Sequence, residues 1–449
     1  MTIDINTRVE ITDETVKQVT TPGQAGKIGL IGAFPTIDKT VYVFETLDQL
    51  RNKYGIVPKS GSELNFNGAL AAKRLFMENI DDCAGAETIT TVNITQDEKL
   101  STDDISIKVV SGADLETTKA KNIDATHLTY NGLRNAFVRL ADEDVDKIFI
   151  SDNIYNAIPK SGDTLINKTT PLTTDGTIND VFDLISYFQT KVYSSQKPAP
   201  VCYYWEKVPT STNSNNTTAE AMGIKTHQIV VDDAVNNASY LNEIDKTHLS
   251  TCGIYFQEVY INDEAVTRME TAAHLCAWTA SLPVGTSLTN KAIPGITGLV
   301  GEELYFGEID DGYKLMNKGI QVIKPLNKRQ GTYCVKNSIQ PNMYDVAHIT
   351  AVSYLLKQYN FIGSLGAVNY ELPIQVLKAQ LEAVNRDVMA VAPIIYEIIL
   401  GQEKILSPWK IYIPIKLRLR GIIDVIKIGV SMEIIDESNG VEVTTAIES

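Results

Sequence analysis

Ser287 sits in VGTSL, Val284 to Leu288. A serine can act as an acyl-transfer nucleophile when a histidine, itself oriented by a carboxylate, takes its proton. The chain has five histidines: His127, His227, His248, His274 and His348. His274 and His348 fall inside amphipathic helical patterns, where packing accounts for the rings. No histidine and acid stand in the sequence context that would give them base and orienting roles. The adjacent acids Asp103-Asp104, Asp232-Asp233 and Asp310-Asp311 read as turn and cap residues, not as a tuned acid/base pair.

Other chemistry is equally sparse. VGTSL is similar to the Gly-Thr-Ser around a subtilisin-type nucleophile, but no His-Gly-Thr accompanies it. The glycines at 23, 26, 29 and 32 do not make GxGxxG, and no GxxxxGK[ST] occurs. Cys83, Cys202, Cys252, Cys276 and Cys334 are scattered and form no CxxC, so they read as buried thiols in a reducing compartment. No HExxH, EF-hand loop or His/Cys cluster is present. Neither cofactor nor metal is expected, and the chain is not expected to be an enzyme.

The elements that would position such residues alternate along the chain. KIGLIGAF (Lys27 to Phe34) and VYVF (Val41 to Phe44) read as strands. TLDQLRNKYG, Thr46 to Gly55, has the cap, amphipathic run and closing glycine of a short helix. A helix follows at Gly68 to Ile80, then a strand at Thr88 to Ile94. NGLRNAFVRLADED, NDVFDLISYFQTKVY (Asn179 to Tyr193) and Asp263 to Leu282 read as helices. KIFIS (Lys147 to Ser151), PVCYYWE (Pro200 to Glu206), HQIVV (His227 to Val231) and CGIYF (Cys252 to Phe256) read as strands between them. Such alternation indicates an α/β domain with a largely parallel sheet. Strand-like segments within Gly319 to Asn337 precede two long helices, Tyr344 to Ile362 and Leu372 to Ala390.

The totals narrow the partners. At 449 residues, two or three domains are expected. Apolar content of 44% and charged content of 21% are ordinary for a globular chain. A net charge of −15 argues against nucleic acid and against anionic membranes. MTIDINTRVE has neither the basic nor the apolar region of a signal peptide. No apolar run approaches the ~20 residues of a membrane span.

Both ends are β-patterned. Ile3, Ile5, Val9 and Ile11 alternate with polar residues, and TTPGQ (Thr20 to Gln24) follows as a turn or hinge. Near the other end, apolar residues hold the odd positions from Ile411 to Leu419. The phase flips after Gly421, where Ile426, Ile428, Val430, Met432 and Ile434 are even. An intramolecular hairpin turning at Gly421 and an arm that pairs with another chain are both open on this pattern. ESNGVEV, Glu437 to Val443, adds an Asn-Gly turn and room for a last strand.

The order of these motifs resembles one family. In SLPVGTSLTNKAIPGITGLVGEEL, Ser281 to Leu304, a long helix ends in a small-residue loop, then SLTNK, then IPG. This is similar to the middle of contractile tail sheath proteins of bacteriophage and related particles. GLIGAF with TLDQLRNKYG, the helix at Gly68 to Ile80, GIQVIKP and the terminal β-arm occur in the family's order, from about Gln24 to Ile435. The resemblance implies an α/β (α+β overall) chain with a subtilisin-like middle domain lacking catalytic residues. A helical and β C-terminal domain and β-arms at both ends would complete it. The expected divisions are an N-arm over 1–20, a body over 21–340, an inner domain over 341–420 and a C-arm over 421–449. The outer β insertion of many phage sheaths would be confined to 96–125.

The function implied is mechanical. Copies would form hexameric rings stacked helically around an inner tube and contract to drive the tube through a cell envelope. The tube, baseplate and tail terminator proteins are the implied partners. Assembly is expected in the host bacterial cytoplasm, yielding a virion tail or a released contractile particle such as an R-type bacteriocin. Ile3, Ile5, Val9 and Ile11, with Ile426, Ile428, Val430, Met432 and Ile434, would form the intersubunit arms. Lys357, Lys378, Glu382, Arg386 and Asp387 are the expected tube-facing charges, against the plainer reading of a solvated helix face. A serine hydrolase using Ser287 is the alternative from another class.

Overall fold

The computed structural model describes residues 26–80, 85–95, 128–166, 172–188, 199–204, 257–301, 309–327, 331–341, 344–359, 371–407 and 410–421, with shorter pieces elsewhere. Its centre is one six-stranded sheet in the order β2-β3-β1-β4-β5-β6. The strands are β1 (Lys27–Gly32), β2 (Tyr42–Phe44), β3 (Thr88–Asn93), β4 (Lys147–Ile150), β5 (Val201–Tyr203) and β6 (Cys252–Gly253). β1, β3, β4, β5 and β6 run parallel, and β2 closes one edge antiparallel. Ile28, Leu30, Ile31, Ile89, Ile148, Phe149, Ile150 and Val201 are all fully enclosed. Strands covered on both faces by helices must be apolar nearly throughout, and KIGLIG and KIFI are.

The covering helices start and stop where local chemistry directs. In α1 (Leu47–Tyr54), Thr46 Oγ1 accepts the Gln49 N–H at 3.3 Å, and Gly55 ends the helix at φ 63. A four-residue α2 (Gly61–Leu64) precedes α3 (Asn67–Leu75), and the first residues of α3 press on the end of β1. A Cβ on Gly32 would fall 2.7 Å from Gly68 Cα, so this approach needs glycine on both sides. α3 stops five residues short of the run expected to Ile80. Met77 and Asn79 take φ of 48 and 62, and the Ala86 N–H returns to the Leu75 carbonyl, so the chain turns back toward β3. α4 (Tyr130–Leu140) and α5 (Ile178–Tyr187) complete the layers described.

Two other expectations shift. The helix read from Asp263 begins only at α6 (Arg268–Ser281). Its first residues belong instead to a hairpin of β7 (Val259–Ile261) and β8 (Glu264–Val266), with β9 (Ile296–Leu299) on the other side of β7. Asn262 and Asp263 turn this hairpin at φ 49 and 64, a left-handed pair that these two side chains tolerate. A capping box between Thr267 and Glu270 then starts the helix. Of the expected strand HQIVV, only Val231 is described, and it is helical and buried.

After a short α7 (Asp311–Asn317), β10 (Ile323–Asn327) and β11 (Thr332–Val335) pair antiparallel. α8 (Val346–Tyr359) and α9 (Glu371–Val391) then form a second, smaller core with Val284, Ile394 and Ile395. Three two-stranded sheets follow. β12 (Ile395–Leu400) pairs with β15 (Ile415–Leu419), enclosing the hairpin of β13 (Lys404–Ser407) and β14 (Lys410–Tyr412). β16 (Val430–Asp436) pairs with β17 (Val441–Ile447). No helix among the described residues is long and apolar enough to cross a membrane.

Candidate functional site

Ser287 is engaged by a carboxylate and hydroxyls. Asp345, 3% exposed, precedes α8; its Oδ1 accepts the Ala347 N–H at 2.8 Å, as an N-cap does. Its Oδ2 accepts the Ser287 hydroxyl at 2.9 Å and the Ser338 hydroxyl at 2.5 Å. Ser287 Oγ also accepts the Thr289 N–H at 3.2 Å, and Thr289 Oγ1 accepts the Ser338 N–H at 3.1 Å. Among the described residues no imidazole takes the Ser287 proton. His348 meets Asp345 only through the backbone, its Nδ1 accepting the Asp345 N–H at 3.3 Å. The group that accepts the Ser287 proton is therefore a carboxylate, a much weaker base than the imidazole of a hydrolase triad. The knot instead ties the GTS loop, the end of β11 and the start of α8 together. Sequence reading found Ser287 but missed Asp345 and Ser338, since their partnership spans 58 and 7 residues.

His274 also fails as a base. It is enclosed in α6, its Nε2 donates to the Pro294 carbonyl at 2.8 Å, and burial holds its pKa down to about 4. Its role is to hold the IPG loop. Asp152 is the one fully enclosed carboxyl with an oxygen lacking a partner among the described residues. It lies just past β4, where Asn67 Nδ2 donates to Oδ1 at 2.7 Å. Desolvation pushes its pKa up to about 6. The crevice between β1 and β4 is the usual ligand site in this topology; here Gly32, at the end of β1, lies so close to Ser151 and Gly68 that a Cβ on it would fall 2.5 Å and 2.7 Å from them. Among the described residues no group of His, Cys, Asp and Glu could hold a metal ion.

The tube-facing set divides. Lys357, expected at a free contact face, is 8% exposed. Its Nζ lies 2.8 Å from Asp144 and also pairs with Asp146, both in the loop leading into β4. The long aliphatic stem packs along α8 and the charge finds partners inside the chain, which periodicity alone could not foresee. Lys378 is half-buried and bridges to Glu403. Glu382, Arg386 and Asp387 are exposed on α9, opposite the buried Leu381, Asn385 and Val388. Lys378, Glu382 and Arg386 recur at four-residue spacing and so form one stripe.

The arms are placed in part. Ile3, Ile5, Val9, Ile11, Ile426 and Ile428 lie outside the described residues, as does the 96–125 segment. Val430, Met432 and Ile434 fall in β16, opposite Ile447, Thr445 and Val443 of β17. Gly421 is not the turn of a hairpin: β15 before it pairs with β12, and β16 after it pairs with β17. The last strand signalled by Asn439-Gly440 is present.

The β12–β15 sheet has one face on the α8–α9 core, through Ile398, Leu417 and Leu419. Its other face carries Lys416, Arg418 and Tyr396, with Arg418 on Glu397 at 2.7 Å. Among the described residues neither β12 nor β15 has a second partner strand, and the same holds for β16 and β17. Such edges offer rows of unpaired backbone groups.

Comparison with known proteins agrees with this architecture. No family model matches the chain, and no curated protein matches its sequence. Among solved structures, a sheath tail protein of Listeria innocua superposes with a TM-score of 0.50 at 9% identity, over 96% of each chain. A sheath tail protein of Desulfitobacterium hafniense aligns over 95% of this chain and 97% of its own, at 10% identity and a TM-score of 0.49. At these identities the likeness is one of fold. The structural neighbours of this chain are sheath tail proteins, the family that its motif order resembles.

Proposed function

We propose that the chain is the repeating subunit of a contractile tail sheath. Copies assemble as hexameric rings stacked helically on an inner tube, between a baseplate and a tail terminator. Contraction of the stack drives the tube through a cell envelope. Assembly takes place in the host bacterial cytoplasm, and the product is a phage tail or a released contractile particle. The enzyme-like α/β body serves as a rigid block in this reading.

One observation carries the proposal: over 96% of its length the chain aligns with a sheath tail protein, while among the described residues the C-terminal sheets have two strands each. A two-stranded sheet is marginal alone, and a strand from a neighbour completes it with backbone hydrogen bonds. The residues of 1–20 and 421–449 supply those strands, with Ile3, Ile5, Val9, Ile11, Ile426, Ile428, Val430, Met432 and Ile434 setting register. Glu382, Arg386 and Asp387, with Lys378, form the stripe of α9 that meets the tube. A mesh of this kind stays connected while the bodies rotate, and the energy is held in a metastable packing.

Electron microscopy of the purified chain with its tube protein tests this, beside a variant ending at Gly421 and lacking residues 1–12. Long striated tubes from the full chain and none from the variant are expected. Discrete particles from the full chain in the presence of tube protein would overturn the proposal.

A further inference from the structure

Lys27 opens β1 a few residues after the proposed N-arm, Arg420 follows β15 just before the proposed C-arm, and both residues are tied to the same helix. At the first turn of α8, His348 Nε2 donates to the Arg420 carbonyl at 2.8 Å. The tautomer follows from geometry, since His348 Nδ1 accepts from the Asp345 N–H. The Arg420 N–H in turn donates to the Ile394 carbonyl at 2.8 Å. At the last turn, Lys357 pairs with Asp144 and Asp146. Those carboxylates also hold Lys27: its Nζ lies 2.6 Å from Asp144, and its backbone N–H donates to Asp146 at 3.0 Å.

His348 and Lys357 are nine residues apart, about 13 Å along a helix. The helix between them is not free to slip. Asp345 clamps its start to Ser287 and Ser338, and Ala347, Ala351 and Leu355 are buried in the α8–α9 core. Polar clamps at both ends and a packed middle make α8 a stiff rod. We infer that α8 is a strut that mechanically couples the roots of the two terminal segments, so that loosening one root loosens the other. This rests on the sheath reading for its purpose, where a strand exchanged at one end would be sensed at the other. The coupling itself is a property of the single chain.

Hydrogen exchange on the full-length chain tests it. His348→Ala removes the contact with Arg420 from a half-buried position and leaves every group around Lys27 in place. Exchange at Lys27 and Asp146, whose N–H groups lie at the far root, is expected to rise about 5- to 10-fold. Amides of α5 serve as control and should not change. Lys357→Met is the reverse experiment, read at Arg420 and Leu419, and Lys27→Met is its milder substitute if Lys357→Met does not fold. Faster exchange only beside each substitution, with the far root unchanged, overturns the inference. A uniform rise that includes α5 also overturns it, because the effect is then global stability. Tube formation by the wild-type chain is scored separately: coupling without tubes fails the sheath reading alone, and tubes without coupling fail the strut alone.

Discussion

The body and the C-terminal region solve opposite problems. In the body, six strands place their apolar residues between helices, and Phe149, Ile148, Leu30 and Ile31 see no solvent. In the C-terminal region, β15 is only half-buried on its core side, and among the described residues the sheets have two strands each. Tyr396 is 62% exposed beside them, with the Arg420 guanidinium over its ring. One region is complete within a single chain. In the other, the strands described after α9 pair only two by two. Two-stranded sheets leave rows of backbone groups at their edges, which water or a further strand can satisfy.

The difference can be broken first at its strong end. Phe149→Ala should cost the body about 3–5 kcal/mol in chemical denaturation, as a cavity in a core that cannot collapse. Leu417→Ala, in half-buried β15, should cost less than about 1.5 kcal/mol in the isolated chain. Equal losses would mean that the two regions are equally finished.

The second test uses pH. The carboxyl of Asp152 titrates at about 6 in the folded chain and near 3.8 unfolded. The folded form therefore loses stability as pH rises from about 4 to about 6, and the full loss persists above that. At about 1.4 kcal/mol per unit, Asp152→Asn should gain about 3 kcal/mol at pH 8 and nothing below pH 4. A gain that did not vary with pH would show that desolvation of the charge is not its cause. His274 has the opposite sign: its folded pKa is about 4 against 6.5 unfolded, so its contribution is complete above pH 6.5 and declines as pH falls toward 4.

Third, Ser287→Ala removes one donor from the enclosed Asp345 carboxylate. A loss of about 1–3 kcal/mol is expected in thermal or chemical melts. A neutral result would mean that the knot does not hold the loop to α8. The smallest effect sharpens the contrast from the other side. Ending the chain at Gly421 should change unfolding of the body by no more than about 0.5 kcal/mol, read by near-ultraviolet circular dichroism. A large loss would place the terminal segment in the body's own core.

Much of the body could be read from the chain because its signals are local. Thr46 and Gly55 bracket α1, and KIFI and KIGLIG declare enclosed strands by having no polar residue after the opening lysine. The misreadings lie where two local signals competed. Asp263 to Val266 continues a helical pattern, yet Asn262-Asp263 makes a tight turn that pairs those residues with β7. Lys357 looked like one more exposed helix charge, and Ser287 like a nucleophile without its partners.

The sequence by itself determined most of the element types and the strand patterning near both ends. These follow from side-chain period, cap chemistry and residue type, which act over a few residues. Only the tertiary structure decided which groups meet. Asp345 with Ser287, Asp146 with Lys357 and β12 with β15 are partners 58, 211 and about 20 residues apart in the chain. No local preference encodes such pairings; they are selected by the packing that leaves the fewest buried polar groups unsatisfied.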